Sequence, residues 1–313
     1  MSSNDTTSGK AILWLLFGVM AGLGLDLAAK QVLQAYPLVQ FVFLRSLIGL
    51  LIFLCIAHRF GGIRALKTEK LHWHLLRTLF SVGAMFGFFY GLQQMPLIDA
   101  LTLGYTAPLM VTALSAIALG DPVGWRRWSA VSIGFAGVLI MLRPGTEQLS
   151  WASLAVLFAA LSYACLAITS RSLATTESSL SLSVYVIAGP MVVSGVLSLD
   201  GGWVMPDLPG MLLFTVAGAC SVMAWIGIVA AYRRAPPAVL APFEYSALVL
   251  GAVAGYLIWD EIPDAWSVAG ALVIVGSGVF VAYREMGRPL SARYLRAVTA
   301  GIVASMSRRL RKD

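Results

Sequence analysis

Ten long apolar windows recur along the chain, and they constrain its fold more than any other feature. They lie at about residues 11–30, 38–57, 73–92, 98–119, 128–142, 151–170, 181–199, 210–232, 238–258 and 265–283. A helix needs about 20 mostly apolar residues to cross a bilayer, and an isolated span must satisfy its backbone hydrogen bonds internally. Of the 313 residues, 59% are hydrophobic and 12% are charged, against about 25% charged in soluble domains. The sequence therefore predicts an all-α membrane protein with ten transmembrane helices, and excludes a soluble enzyme or a disordered chain.

The distribution of Lys and Arg predicts how these helices are oriented. With ten spans, 19 of the 22 basic residues fall on the side of the N-terminus, two fall on the other side, and Arg45 lies within a span. Short cytoplasmic loops carry an excess of Lys and Arg. We therefore expect both termini in the cytoplasm and the chain in the cell inner membrane. The net charge of +7 then reflects topology, and no nucleic-acid partner is expected.

The last 30 residues, 284–313, form a separate basic segment. Apolar residues recur there every four positions, with arginines beside them: Leu290, Tyr294, Val298, Ile302, Met306 and Leu310. This pattern predicts an amphipathic helix on the anionic cytoplasmic leaflet. The alternative is a solvated tail.

An internal repeat divides the apolar part of the chain into two halves. A shift of 140 residues aligns Gly49 with Gly189, Gly87 with Gly227, Pro96 with Pro236, Tyr105 with Tyr245, and Asp121 with Glu261. The period equals five spans, and because five is odd, the second copy enters the membrane upside down. Inverted repeats are typical of secondary transporters. We expect an N-terminal tail (1–10), a first repeat (11–142), a second repeat (151–283) and the C-terminal tail (284–313).

Several short motifs resemble one transporter family. They are Leu44-Arg45, Arg77-Thr78, Phe89-Tyr90-Gly91-Leu92, Met95-Pro96-Leu97-Ile98-Asp99-Ala100, Tyr105-Thr106-Ala107-Pro108, Leu119-Gly120-Asp121, Arg126-Arg127-Trp128, Gly134-Phe135-Ala136-Gly137-Val138 and Arg143-Pro144-Gly145. Over about residues 11–283 the chain resembles the EamA branch of the drug/metabolite transporter superfamily. That resemblance implies a secondary carrier, and similar members export amino acids and related metabolites or import riboflavin or S-adenosylmethionine. The chain departs from the family at Asp121, where Glu is usual, and at Asp26, where a neutral or aromatic residue is common.

A proline and a tyrosine lie close together in the fourth window and again in the ninth. Pro108 follows Tyr105 by three residues, and Pro242 precedes Tyr245 by three. Proline removes a backbone donor, and interrupted helices at corresponding places in two repeats indicate a transporter site. Tyr105 and Tyr245 are therefore predicted substrate contacts, with interhelical hydrogen bonding as the alternative. Glu244 is predicted to bind a cationic group or a proton, unless it is neutral and hydrogen-bonded.

Charged and aromatic residues inside other windows complete the candidate set. A charge within a bilayer costs about 2.5–3.5 kcal/mol on insertion scales. Asp26 and Lys30 are four residues apart and could form a structural ion pair. Arg45 could hold a carboxylate or phosphate, or lock two helices through Asp26. Trp225 and Tyr163 are candidates for stacking a planar ligand, with ordinary packing as the alternative.

Catalytic and cofactor motifs are missing from the sequence. His72 and His74 point to different sides of a helix, which is a poor metal arrangement, and no HExxH, GxSxG or nucleotide-binding motif occurs. The three cysteines lie in apolar stretches without CxxC spacing. We therefore expect no cofactor and a secondary transporter that moves a small polar metabolite, such as riboflavin, S-adenosylmethionine or an amino acid, by alternating access. An exporter of the same fold, a membrane scaffold and a membrane enzyme remain alternatives.

Overall fold

The described part of the chain folds into helices joined by short connections. The computed structural model describes residues 3–57, 68, 70–120, 123–145, 149–173, 177, 179–235 and 237–286. Within them the helices are α1 (Ser3–Val32), α2 (Leu38–Ala57), α3 (Leu71–Gln94), α4 (Leu97–Gly104), α5 (Ala107–Ala118), α6 (Trp125–Leu142), α7 (Trp151–Leu173), α8 (Ser179–Leu197), α9 (Leu208–Tyr232), α10 (Pro237–Glu244), α11 (Ser246–Trp259) and α12 (Ala265–Met286). One short 3₁₀ turn follows α8 at Ser198–Asp200. The amphipathic helix predicted in the C-terminal tail lies, from residue 287 onward, outside the described residues.

Twelve helices account for the ten predicted spans because two spans are broken. The fourth window consists of α4 and α5, and the ninth consists of α10 and α11. Eight stretches of the described chain are long and apolar enough to cross a membrane. The other two predicted spans are α8, whose apolar part is shorter (Ser181–Leu197), and α6, which begins with an arginine pair. The all-α membrane fold is confirmed, and α1 begins earlier than predicted, at Ser3.

The internal repeat is visible in the positions of the helices. Helices α4 and α10 differ by 140 residues at both ends, and the other helices follow the same order in each half. The helix contacts follow the same relation, in which α1, α2 and α3 correspond to α7, α8 and α9. Helix α1 packs on α9, as α7 packs on α3. Helix α2 also packs on α9, as α8 packs on α3. Helix α6 packs on its own repeat partner, α12. These contacts are those that a two-fold relation between two five-helix halves requires.

Small residues allow the closest of these helix contacts. A Cβ added at Gly87 would lie 2.6 Å from the Ala155 carbonyl oxygen of α7. A Cβ added at the repeat partner, Gly227, would lie 2.7 Å from the Gly18 nitrogen of α1. Glycine at both positions lets the backbones approach closely, as small residues do between transmembrane helices.

An ion pair joins the two halves at the end where α1 finishes and α4 begins. Lys30 of α1 contacts the Glu261 carboxylate and donates to the Met95 carbonyl oxygen at 2.9 Å. The other carboxylate oxygen of Glu261 accepts a hydrogen bond from the Leu97 N–H at 2.8 Å. Glu261 therefore satisfies one free amide at the start of α4 and the lysine together. The pairing of Lys30 with Asp26, considered from their spacing, is not what forms, because Glu261 holds the lysine at the helix end.

Candidate functional site

Both broken helices are interrupted at a repeat-related tyrosine. Tyr105 follows α4 with φ −69° and ψ 1°, and Tyr245 separates α10 from α11 with φ −68° and ψ −8°. The two rings lie against each other, with their centroids 5.2 Å apart and their planes inclined by 39°. Since each tyrosine is the repeat partner of the other, the pseudo-two-fold axis passes between them. The proline-interrupted helices predicted from the sequence are thus present, and they meet at these two rings.

The break in the ninth span frees a backbone carbonyl. In a continuous helix the Leu248 N–H would bond four residues back to Glu244. It donates instead to the Tyr245 carbonyl oxygen at 3.0 Å. The Tyr105 hydroxyl donates to the Glu244 carbonyl oxygen at 2.9 Å. A tyrosine of the first repeat therefore satisfies the carbonyl group that the helix break leaves free in the second repeat.

The side chain of Glu244 lies among tyrosines. The Tyr232 hydroxyl, at the end of α9, donates to Glu244 Oε1 at 2.5 Å. Tyr105 and Tyr163 lie within electrostatic reach of the same carboxylate. Glu244 is only partly buried, and the Tyr163 side chain is 56% exposed. A carboxylate with aromatic rings around it is suited to a cationic group.

Asp26 and Arg45 form a second charged region beside the tyrosines. Asp26 interacts electrostatically with both Arg45 and Tyr105. It makes no hydrogen bond or ion pair with any residue in the described ranges, and its side chain stays partly accessible. The lock between α1 and α2 that an Asp26–Arg45 salt bridge would have provided is therefore not formed.

The Arg45 guanidinium is held in place by weak contacts only. Its Nη1 lies 2.9 Å from the Met85 sulfur, and the group lies 5.4 Å from the centre of the Phe89 ring. Its Nε is buried and has no hydrogen-bond partner among the described residues. Phe89 itself packs on Phe41, with ring centroids 4.9 Å apart. These surroundings leave Nε without an acceptor and give Nη1 only a thioether sulfur.

Trp225, another candidate from the sequence, lies in a different environment. Its ring packs on Phe53 of α2 with centroids 4.8 Å apart. Val222 and neighbouring aliphatic side chains complete a separate apolar cluster. The structure thus brings together six of the seven candidates, Asp26, Arg45, Tyr105, Tyr163, Glu244 and Tyr245, and places Trp225 apart from them.

Tyr232 is a site residue that the sequence patterns did not reveal. It is the last residue of α9 and is followed by Arg233 and Arg234. Only the packing of α10 against α9 brings its hydroxyl to Glu244.

A buried polar cluster near the start of α3 was also missed. Arg77 is 3% exposed and donates to Ser170 Oγ at 2.9 Å and to the Leu182 carbonyl oxygen at 3.2 Å. His74, fully buried, places Nε2 3.3 Å from Glu177 Oε2. The spacing of His74 and Arg77, three residues apart, puts both on one helix face. That spacing was the available signal in the sequence.

Comparison with known proteins connects this arrangement to a family. Residues 9–143 match the EamA-like transporter family. The S-adenosylmethionine uptake transporter of Rickettsia prowazekii (strain Madrid E) is 29% identical over 280 residues, which cover 88% of this chain and 92% of that protein. The riboflavin transporter of Rhizobium johnstonii is 28% identical over 284 residues, which cover 89% of this chain and 94% of that protein.

Solved structures support the fold independently of these sequence matches. One crystal structure has a TM-score of 0.64 and 20% sequence identity, and the match covers 89% of this chain and 99% of that one. At this identity the likeness concerns the fold alone. The matches to the two transporters run over both halves of this chain. The first repeat of this chain thus matches the EamA-like transporter family, and its similarity to named transporters over nearly its full length indicates a membrane transporter of small metabolites.

Proposed function

We propose that this protein is a secondary transporter of the cell inner membrane that takes up a small polar metabolite by alternating access. The observation that carries the proposal is the contact of Tyr105 and Tyr245 at two repeat-related helix breaks. Substrate sites of inverted-repeat transporters lie near the midplane, between the repeats, at such breaks. The substrate would bind there between Asp26 and Arg45 on one side and Glu244 on the other.

The relatives suggest two substrate candidates, S-adenosylmethionine and riboflavin. Both carry a planar heteroaromatic ring system, which tyrosine rings can stack on. The S-adenosylmethionine relatives are named for uptake, so import is favoured over the exporter alternative. Inverted halves have a direct use in alternating access and none in a scaffold, and the named relatives are transporters, so we propose transport without catalysis.

The same proposal includes the orientation of the protein in the membrane and the way in which its two ends open and close. The excess of basic residues on one side supports cytoplasmic termini, and the Lys30–Glu261 pair would then lie at the outer end. Rocking of one repeat against the other would open that end and close the opposite one. The tyrosine pair on the axis would stay central throughout.

Counterflow in proteoliposomes tests this function. Vesicles loaded with unlabelled S-adenosylmethionine, riboflavin, aromatic amino acids, homoserine and threonine are diluted into each labelled solute in turn, without an ion gradient. Accumulation of one solute is expected. No accumulation of any panel member by folded protein would contradict the proposed substrate classes.

A pair of tyrosine variants tests the site. Tyr245→Phe is expected to lower the initial rate by about threefold or more, as loss of one buried hydrogen-bonding group does. Tyr256→Phe is the matched control, because Tyr256 lies on the same helix and is 53% exposed. Equal rates for the two variants would remove the Tyr245 hydroxyl from the site.

A further inference from the structure

Charges are distributed unequally around the symmetric tyrosine pair. The 140-residue repeat relates Tyr105 to Tyr245, but it relates Asp26 to Leu166, Arg45 to Tyr185 and Glu244 to Gly104. None of these three partners carries a charge, so the charged groups were not inherited from the symmetry of the fold. A symmetric pair flanked by single charges favours one binding orientation of an asymmetric ligand.

The guanidinium of Arg45 has no oxygen acceptor among the described residues, since its Nη1 donates only to the Met85 sulfur at 2.9 Å. Its Nε is buried without a partner among the residues described. Asp26 supplies electrostatic compensation but lies beyond salt-bridge distance. A planar guanidinium matches a carboxylate in bidentate geometry, and a buried charge left unpaired is costly. A ligand carboxylate would supply the missing acceptors.

Two carboxylates lie near the tyrosine pair. Tyr105 is within electrostatic reach of both Asp26 and Glu244. Asp26 has an unused, accessible carboxylate beside Arg45, which suits an ammonium group adjacent to the ligand carboxylate. Glu244 already accepts from Tyr232 and is bordered by further aromatic rings, where a second cation would gain both ionic and cation–π stabilisation.

We propose that the site selects a metabolite with an α-amino-acid group and a second cationic centre, with Arg45 binding the carboxylate, Asp26 the ammonium and Glu244 the second cation. This inference rests on the proposed transport function. Two acidic groups and one basic group complement a ligand of net charge +1, which is the charge of S-adenosylmethionine with its carboxylate, ammonium and sulfonium groups. Riboflavin, an uncharged ring system, leaves all three side chains unpaired.

Competition against counterflow of labelled S-adenosylmethionine tests the assignment. The competitors are S-adenosylhomocysteine, which lacks the sulfonium charge, and decarboxylated S-adenosylmethionine, which lacks the carboxylate. In the wild-type protein, each analogue is expected to compete at least about tenfold more weakly than S-adenosylmethionine, since each leaves one charged side chain without its partner. Because each result is a ratio within one preparation, differences in the amount of folded protein cancel.

The variants should change these ratios separately. Arg45→Gln is expected to lose the discrimination against decarboxylated S-adenosylmethionine while keeping the discrimination against S-adenosylhomocysteine. Glu244→Gln is expected to do the reverse. Asp26→Asn should weaken the binding of S-adenosylmethionine itself and leave the competition ratios of both analogues unchanged. Asp99→Asn, which neutralises a partly buried carboxylate outside this site, is the matched control and should leave all values unchanged.

The crossed pattern of ratios supports the assignment, and an unchanged carboxylate ratio in Arg45→Gln overturns it. Transport of riboflavin without binding of either sulfonium compound also overturns it, while the transporter function stands. Absence of transport of any panel solute by folded wild-type protein would overturn the proposed function, and this inference with it.

Discussion

At the scale of single residues, two tyrosine hydroxyls hold Glu244, one from each repeat. Tyr105 of the first half satisfies the Glu244 carbonyl of the second, and Tyr232 reaches the carboxylate of the same residue. These hydrogen bonds stabilise the helix break in addition to shaping the candidate binding site. The alternative role considered for Tyr105, interhelical hydrogen bonding, is therefore present together with its position in the candidate site.

Tyr105→Phe should destabilise the protein because it leaves a half-buried carbonyl without its donor. The expected cost is about 1–3 kcal/mol, measured as a lower midpoint of thermal or denaturant unfolding in detergent. Tyr90→Phe, at a partly exposed position of α3, is the control. Identical midpoints for the two variants would show that the Tyr105 bond adds nothing to stability.

Asp207 gives a residue-scale prediction outside the membrane. It lies just before α9 and accepts hydrogen bonds from the Gly210 N–H and the Tyr36 hydroxyl, each at 2.8 Å. These bonds, the backbone one foremost, hold the pKa of Asp207 below its ordinary value of 3.8. A lowered folded pKa contributes stability that is present above 3.8 and is lost as the pH falls through the folded value.

Asp207→Asn should therefore be less stable than the wild type near neutral pH. The difference in melting temperature should shrink as the pH falls below about 4, where the wild-type carboxylate takes up a proton. Parallel melting curves between pH 7 and pH 3 measure it. A difference that stays constant or grows on acidification would contradict the prediction.

At the scale of helices, the same break arises from different sequences. In the first repeat Pro108 lies after the break, in the first turn of α5, whereas in the second Pro242 lies before it, inside α10. Neither proline has a proline as its repeat partner. The helices α4 and α10 nevertheless begin and end at equivalent residues of the two repeats. The position of the break is therefore a property of the fold, and each proline lowers the cost of breaking the helix.

Alanine substitutions at glycines test the helix contacts. Gly87→Ala and Gly227→Ala should each destabilise the protein by about 1–3 kcal/mol, because the added methyl meets backbone atoms of the facing helix. Gly276→Ala is the control, since an added Cβ there has no heavy atom within 4 Å. It should be neutral or stabilising by up to about 1 kcal/mol through helix propensity. Unfolding midpoints in detergent distinguish the three, and equal effects would rule out close packing at Gly87 and Gly227.

At the scale of the whole molecule, the two ends of the bundle are joined by different chemistry. The Lys30–Glu261 pair links the repeats at one end. Ser170, the repeat partner of Lys30, accepts from the buried Arg77 at the other end. The repeat also relates His74 to Phe214, which packs in an aromatic cluster with Phe41. A symmetric backbone thus carries unlike side-chain contacts at its two ends.

A double-mutant cycle tests the ion pair between Lys30 and Glu261. Lys30→Met and Glu261→Gln should each cost about 3–5 kcal/mol, because each leaves a buried charge without its partner. The double variant should be more stable than the sum of the two losses predicts. Unfolding free energies of the four proteins measure the coupling, and strictly additive losses would show that the pair does not act as a unit.

The sequence by itself determined the helical membrane fold, the five-span repeat and the two tyrosines at interrupted helices, because hydropathy, period and proline chemistry act over a few neighbouring residues. It also supplied most of the candidate site. Only the tertiary structure decided the partners. Lys30 bonds to a residue 231 positions away rather than to Asp26, one turn earlier on its own helix, and Tyr232 reaches Glu244 through the packing of α10 on α9. Such pairings depend on where helix ends meet in space, and spacing along the chain carries no record of that.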